Sequence, residues 1–402
     1  MKLQQVNQAV ILAGGYGRRM LPLTAGRPKP MIPIHSRPFL ERLIEWVREA
    51  GIGRVTLLTG WKAEQISAHF GNGSNFGIQI DYATAPPDVE TASRVSRAAH
   101  LLDPKFLLLY GDIFCPIDLG HAEAQWIDSG LPAQITLFDN ADGYSRPNAG
   151  WEDGLLTAYD AQRQAHGLRG VDIGHMFFRR EVIDGLHNQD TTIAQATARS
   201  LLHRRAIGAF VTRHRYYGPS SPVRLAETLR FFTGGPTIIL DRDGVLNEKR
   251  PPAQYVTKWG EWRWLPGALD GLKAFRHAGW RVLLATNQPG VARRHLTHAA
   301  LDELHARMRA EIARFGGCLH DLFTCTHGWD DGCDCRKPKP GLLFQAQREW
   351  ALDLTQTYFA GDEDRDQAAA EAAGCKFLRV SESAPLGAWA AKLTQSQTAT
   401  VH

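Results

Sequence analysis

The chain has 402 residues, more than a single hydrophobic core usually sustains, so two domains are expected. Its composition (44% hydrophobic, 22% charged, 46 basic against 42 acidic side chains, net charge +4) excludes a disordered chain and gives no basis for a nucleic-acid surface. No run of about 18 apolar residues occurs, so no membrane span is expected, and the protein reads as soluble and cytoplasmic.

Taken in chain order, AVILAGGYGRR at 9–19 is a short buried strand running into a glycine turn. PFLERLIEWVREAGI follows, with apolar residues at 39, 40, 43, 44 and 47, the stripe of an amphipathic helix that closes on Gly51. RVTLLTG reads as a strand, KAEQISAHF as a helix, and FLLLYGD at 106–112 as a strand ending in an acid. Thr233-Gly-Gly-Pro236 breaks regular structure and predicts a linker between a domain at 1–232 and a second beginning at 237. TIIL, GALDGLKAFRHAG, WRVLLATN, LDELHARMRAEIARFG, LFTC, GLLFQAQREWAL, TYFAGD and DQAAAEAAG then repeat the strand and helix alternation up to Val380. From about Val380 periodicity is lost, 381–402 forms a tail, and its last stretch TQSQTATVH reads as disordered. The expected class is α/β, two domains each built on a mostly parallel sheet with helices on both faces, with functional loops at the strand C-termini.

In the first domain Gly14, Gly15 and Gly17 follow a strand, so backbone N–H groups can approach a triphosphate. RPKPMIPI and the terminal Asp112 of FLLLYGD join them. Together these motifs resemble the sugar-1-phosphate nucleotidyltransferases, and PKPMIPIHSRPFLERLIEWVREAGI is most similar to the heptose-1-phosphate guanylyltransferases. The resemblance implies a Rossmann-like domain in which Arg19 and Lys29 stabilise charge on the α-phosphate and departing pyrophosphate while Asp112 binds Mg²⁺. Three positions depart from the family pattern. Gly218 in RYYGPSSPVRL stands where the second metal carboxylate is usual, Glu90 replaces a glycine beside the base, and Asp160-Ala161 replaces the Glu-Lys pair that holds the sugar phosphate. Two readings stay open: an active transferase compensated by Asp172 or His175, or a nucleotide-binding module without turnover.

In the second domain Asp241 and Asp243 follow a buried strand at i and i+2, a spacing that lets two carboxylates divide nucleophile and proton-transfer roles. Thr286 and Asn287 end a later strand with neutral donors for phosphate oxygens. Lys337 precedes a helix and offsets phosphate charge, Asp362 ends another strand, and Asp366 adds a second acid for a metal. This order resembles the haloacid dehalogenase phosphatase superfamily. The resemblance implies an aspartyl-phosphate on Asp241, acid and base work by Asp243, phosphate binding by Thr286 and Lys337, and Mg²⁺ held by Asp241, the Asp243 carbonyl and Asp362.

Six cysteines are too few for a disulfide scaffold of this length. Cys325, His327, Cys333 and Cys335 lie within CTHGWDDGCDC, enough ligands for a closed, structural Zn²⁺ site. Cys115, Cys318 and Cys375 read as small apolar residues. The cysteine loop, with CDCRKPKPGLL and TNQPGVARR, looks like the subgroup containing histidinol-phosphate and heptose 1,7-bisphosphate phosphatases. There Arg336 would hold a second phosphate assisted by Arg293 and Arg294, the alternative for the arginine pair being a solvated helix start. YVTKWGEWRWLPGAL resembles the heptose enzymes, whereas the short His327 to Cys333 spacing is shared with the histidinol-phosphate enzymes.

The combined expectation is a bifunctional enzyme acting on a phosphorylated sugar and a nucleoside triphosphate, GTP by resemblance. The alternatives are another sugar or polyol with CTP, and a phosphatase carrying a non-catalytic nucleotide module.

Overall fold

The computed structural model describes residues 1–186 and 191–398. The chain folds as two compact units, Met1–Phe232 and Thr233–His402, and residues 234–236 between the flanking helix and strand have no regular structure.

The strands of the first unit are β1 (Gln8–Ala13), β2 (Pro33–Ile34), β3 (Arg37–Pro38), β4 (Arg54–Thr59), β5 (Gln79–Thr84), β6 (Lys105–Tyr110), β7 (Ala133–Phe138), β8 (Ala149–Glu152), β9 (Leu155–Tyr159), β10 (Val171–Arg179) and β11 (Ile207–Thr212). Its helices are α1 (Phe39–Glu49), α2 (Ala63–Phe70), α3 (Thr91–Arg97), α4 (Leu119–Ser129), α5 (Arg180–Asp184), α6 (Ile193–Leu201) and α7 (Pro222–Phe232). Nine strands form one sheet in the order β5-β4-β1-β6-β10-β7-β11-β9-β8. β5, β4, β1 and β6 run parallel, as the alternating pattern predicts. Beyond β6 the sheet is mixed: β10 is antiparallel to both β6 and β7, and β8 and β9 form an antiparallel pair. The expected α/β class holds, with the parallel run β5-β4-β1-β6 carrying the glycine loop and β11 again parallel to β7. β1 is buried along nearly its whole length, the mark of a central strand covered on both faces. α1 buries Phe39, Leu40, Leu43, Ile44 and Val47, each worth roughly 1.5–3 kcal/mol when removed from water.

In the second unit β12 (Thr237–Leu240), β13 (Arg281–Asn287), β14 (Asp321–Cys325), β15 (Tyr358–Gly361) and β16 (Lys376–Arg379) form an all-parallel sheet in the order β14-β13-β12-β15-β16. Its helices are α8 (Ala268–His277), α9 (His298–Arg314), α10 (Gly341–Trp350), α11 (Asp364–Ala373) and α12 (Leu386–Thr398). Strand alternation sorts the core into two layers. Ile238, Leu240, Val282 and Leu284 pack with α8, α9 and α12, whereas Ile239, Leu283, Ala285 and Phe359 pack with α10 and α11.

The expected tail is a correction. Leu386, Ala390 and Leu393 recur at helical spacing, are buried in the layer shared with α8, and carry α12 well past Val380. The polar run after them obscures that stripe in the sequence. Residues 399–402 lie outside the described residues.

Candidate active sites

The site residues expected in the second unit collect where β12, β13 and β15 end, because parallel strands deliver their C-terminal residues to one edge of the sheet. Asp241 leaves β12 with 7% exposure. Lys337 Nζ lies 2.8 Å from Asp241 Oδ1 and 2.8 Å from Asp366 Oδ1, an ammonium held between two buried carboxylates. Burial works against the charge of Lys337, and the two carboxylates outweigh it, holding its pKa above the ordinary lysine value. Burial also pushes Asp241 above the usual carboxylate range despite Lys337.

Asp243 is held differently. Its Oδ1 accepts from Asn247 Nδ2 at 2.8 Å and Arg242 Nη2 at 3.1 Å, and its Oδ2 accepts from Gln288 Nε2 at 2.8 Å and Arg242 Nη2 at 2.9 Å. Burial opposes ionisation, but Arg242, Asn247 and Gln288 outweigh it and keep the Asp243 pKa below its usual value. Gln288 Nε2 also donates to Thr286 Oγ1 at 2.9 Å, tying the threonine to Asp243. Asn247, Gln288 and Arg242 are absent from the sequence expectations. Their signal is adjacency to the two motifs, which spacing alone does not convert into a role.

Two expected roles change. Asn287 engages its amide with the Lys337 backbone, donating from Nδ2 to Lys337 O at 3.0 Å and accepting at Oδ1 from Lys337 N at 3.1 Å, so it fixes the lysine instead of facing phosphate. Asp366 accepts from Lys337 at one oxygen and from the Glu363 backbone N–H at the other, 3.1 Å, in a capping box that starts α11. It anchors Lys337 more than it offers a metal ligand.

The remaining acids suit a hard cation. Oxygens of Asp241, Asp362 and Asp366 lie within 4.8 Å of one another. Asp362 Oδ1 is buried without a hydrogen-bond partner, and a Cβ at Gly244 (φ +91°) would collide with the Asp362 carboxylate. Asp362 Oδ2 accepts from Lys249 Nζ at 2.8 Å. The residues fit Mg²⁺ bound by Asp241 and Asp362.

Cys325, His327, Cys333 and Cys335 converge within the same 4.8 Å limit. A tetrahedral Zn²⁺ with bonds of about 2.3 Å to sulfur and about 2.0–2.1 Å to nitrogen requires edges of about 3.8 Å between sulfurs and about 3.6 Å between sulfur and nitrogen. The structure gives 3.8 Å for Cys325 Sγ to Cys333 Sγ and 3.6 Å for Cys325 Sγ to His327 Nδ1, with Cys335 Sγ 3.2 Å from the same nitrogen. Four protein ligands fill that geometry and leave no position for substrate. The loop presents Trp329, 63% exposed, with the Arg336 guanidinium 4.8 Å and the Arg293 guanidinium 5.7 Å from its ring centre. Arg336 donates to His327 O at 3.3 Å and Arg293 to Tyr255 Oη at 3.0 Å, so both side chains are held beside the cysteine loop.

In the first unit a cavity of about 580 Å³ opens at the end of β1. Gly14, Gly15, Gly17, Arg18, Arg19, Lys29, Glu90 and Asp112 line it. Gly17 has φ +66°, and a Cβ there would lie 2.8 Å from Lys29 Cβ, so both backbone shape and packing demand glycine. Gly14 abuts the guanidinium of Arg94, a residue that the sequence expectations do not include. Arg94 is 3% exposed and donates to the carbonyls of Thr59 at 2.5 Å, Ala85 at 3.2 Å, Pro86 at 2.8 Å and Val89 at 3.3 Å. It staples the loop before α3 to the end of β4 and leaves a positive charge beneath the glycine turn.

Asp112 forms an ion pair with Lys29. Among the described residues no cluster of three acidic or metal-binding side chains forms here. A Cβ at Gly218 would collide with the Asp112 carbonyl oxygen, so a carboxylate at 218 is excluded by the backbone. Neither expected substitute lines the cavity. Asp172 accepts from Tyr159 Oη at 2.9 Å and from the Gly174 N–H at 2.7 Å, and His175 is fully buried with its ring 5.4 Å from that of Trp46. Asp160 caps its own turn by accepting from the backbone N–H groups of Gln162, Gln164 and Ala165, and Glu90 caps α3 without a side-chain hydrogen bond.

The nucleotidyl transferase family model matches residues 8–144, and the HAD-hydrolase-like model matches residues 334–401. The D-glycero-β-D-manno-heptose-1,7-bisphosphate 7-phosphatase of Pseudomonas aeruginosa is 42% identical over 139 residues, 35% of this chain and 77% of that protein. The enzyme of the same name from Bordetella bronchiseptica is 44% identical over 138 residues, 34% of this chain and 76% of that protein. A Bacillus anthracis structure described as a glucose-1-phosphate thymidylyltransferase covers 55% of this chain and 93% of its own at TM-score 0.50 and 15% identity, a likeness of fold. Among the described residues no helix is long and apolar enough to cross a membrane. Through its C-terminal unit, with a nucleotidyl transferase domain ahead of it in the same chain, the protein belongs to the heptose-1,7-bisphosphate 7-phosphatase family of haloacid dehalogenase-like hydrolases.

Proposed function

We propose that the chain carries out two consecutive steps of nucleotide-activated heptose synthesis. The C-terminal unit removes the 7-phosphate of a heptose 1,7-bisphosphate, and the nucleotidyl transferase domain couples the resulting 1-phosphate to a nucleotide, GTP being the leading candidate. The observation that carries the first step is the buried Asp241, Lys337 and Asp366 triad beside Asp243, in a unit over 40% identical to phosphatases of that name. Asp241 attacks phosphorus as the bond to the sugar oxygen breaks, and Asp243, ionised in the free site, takes up the proton of the monoanionic phosphomonoester and passes it to that oxygen. Water then attacks the aspartyl-phosphate, Asp243 takes its proton, and Asp241 is released. Lys337 and Thr286 hold the transferring group, and Arg336 and Arg293 meet the second phosphate at the rim. Mg²⁺ held by Asp241, the Asp243 carbonyl and Asp362 would supply charge neutralisation at the phosphate, and Zn²⁺ would fix the loop that carries Trp329.

In the N-terminal cavity, lined by Arg19, Lys29, the glycine turn and Asp112, the two cations would face the triphosphate, the turn would offer backbone donors, and Asp112 would hold Mg²⁺. The closed space at Gly218 favours a second reading, in which this unit binds nucleotide without turnover. Phosphate release from heptose 1,7-bisphosphate in Mg²⁺, and pyrophosphate release with each of the four nucleoside triphosphates and heptose 1-phosphate, test the two steps on the full chain. Phosphate release surviving Asp241→Asn would sink the first. Pyrophosphate release lost in both Lys29→Ala and Asp112→Asn would eliminate the binding-only reading.

A further inference from the structure

An arginine between two catalytic aspartates is expected to reach for phosphate, yet Arg242 turns away from the opening. It is 1% exposed, with its guanidinium 5.7 Å from the Trp262 ring centre. Burying an unmatched guanidinium costs several kcal/mol, so its partners identify its task. Nη2 donates to both oxygens of Asp243, at 3.1 and 2.9 Å, and Nη1 donates to Nε2 of His305 at 3.2 Å. His305 lies on α9, 6% exposed, on the face that buries Leu301, Leu304, Met308 and Ile312. An Nε2 that accepts from a guanidinium belongs to a neutral ring with its proton on Nδ1. Burial first, and Arg242 second, push the pKa of His305 down to about 3, which keeps it so.

We propose that Arg242 and His305 are positioning residues for proton transfer: His305 anchors the guanidinium, and the guanidinium fixes the Asp243 carboxyl toward the leaving oxygen. The chain of contacts runs from α9 through the catalytic turn to the proton donor, and neither residue needs to touch substrate. When the Asp241 oxygen bonds to phosphorus, the departing P–O electron pair stays on the leaving oxygen, and the proton that the otherwise ionised Asp243 has taken up from the monoanionic ester moves to it. A misdirected Asp243 therefore slows esters whose leaving oxygen requires that proton and spares those whose anion departs unaided.

The proposal rests on the phosphatase reading of this unit and is independent of the sugar. Its test is hydrolysis of phenyl phosphate and of 4-nitrophenyl phosphate by the full-length protein in Mg²⁺, since 4-nitrophenolate leaves without protonation. Arg242→Met is expected to lower kcat on phenyl phosphate by about 10²-fold and on 4-nitrophenyl phosphate by less than about 5-fold. His305→Leu is expected to show the same selectivity at about 10-fold, with His305→Gln, which retains an acceptor, restoring most of the rate. Equal losses on both esters, or no loss on either, would overturn the proposal. A wild-type protein inactive on both would remove the phosphatase reading, and this proposal with it.

Discussion

At the end of β12 an ammonium sits between two buried carboxylates, and the nearby Asp243 is gripped by three donors. At the end of β1 a cavity gathers Arg18, Arg19, Lys29 and the buried Arg94 around Asp112, with Glu90 and Asp88 on the opposite loop. The first site is preorganised before substrate arrives, because each reacting group already has a fixed partner. The second gathers cations at an open cavity, and its Asp112 is engaged with Lys29. Sites of the first kind lower a barrier through fixed dipoles and charges, whereas sites of the second kind bind anions first and acquire order on binding.

The sharpest way to break this comparison is to disable one site and read the other. Asp241→Asn is expected to reduce phosphate release at least about 10³-fold while leaving nucleotide binding, measured by calorimetry, unchanged. Next in size is the zinc loop. Cys333→Ser, or treatment with a strong chelator, should lower the melting temperature of the phosphatase unit by roughly 10 °C or more and release zinc measurable by mass spectrometry. Gly14→Ala tests whether Arg94 is as firmly placed as its four carbonyl partners imply. The added methyl meets the guanidinium, so nucleotide affinity should fall by about tenfold or more, with phosphatase activity intact.

The smallest expected effect sharpens the comparison within β10. Burial pushes Asp172 up to about 6 and pushes His175 down to about 4. Folded Asp172 keeps its proton where the unfolded chain has lost it, so its contribution to stability falls as pH rises from about 4 to 6. Folded His175 refuses a proton that the unfolded chain accepts, so its contribution rises with pH across about 4 to 6.5. The two slopes oppose one another. Asp172→Asn should leave unfolding free energy climbing with pH in that window, and His175→Gln should leave it falling, each by an order of 2–3 kcal/mol in urea melts.

Much of the second unit is legible in the sequence because its chemistry sits at strand ends separated by short loops. Asp241, Thr286 and Asp362 are each the first polar residues after an apolar run, so finding the strands finds the site. The cysteine and histidine cluster is legible for the same reason of locality, since it spans the last residue of β14 and the loop that follows it. Asn287 is open to misreading because a neutral donor beside Thr286 looks alike in sequence whether it meets phosphate or the backbone of Lys337, fifty residues away. Arg94, His305 and α12 escape a reading of the sequence because each depends on a partner distant in the chain: the carbonyls of Thr59 and Ala85, the guanidinium of Arg242, and the buried face of α8.

The sequence by itself determined the alternation of strands and helices, the residue types at each strand end and the ligands of the cysteine loop. Periodicity and spacing are local properties that survive without knowledge of the fold. Only the tertiary structure decided that the first sheet turns mixed after β6, that Gly218 leaves no room for a second acid beside Asp112, and that Asp243 is held by Arg242 from behind. Those outcomes depend on which backbone lies against which, and close packing lets a carbonyl oxygen or one guanidinium decide what a neighbouring position can do.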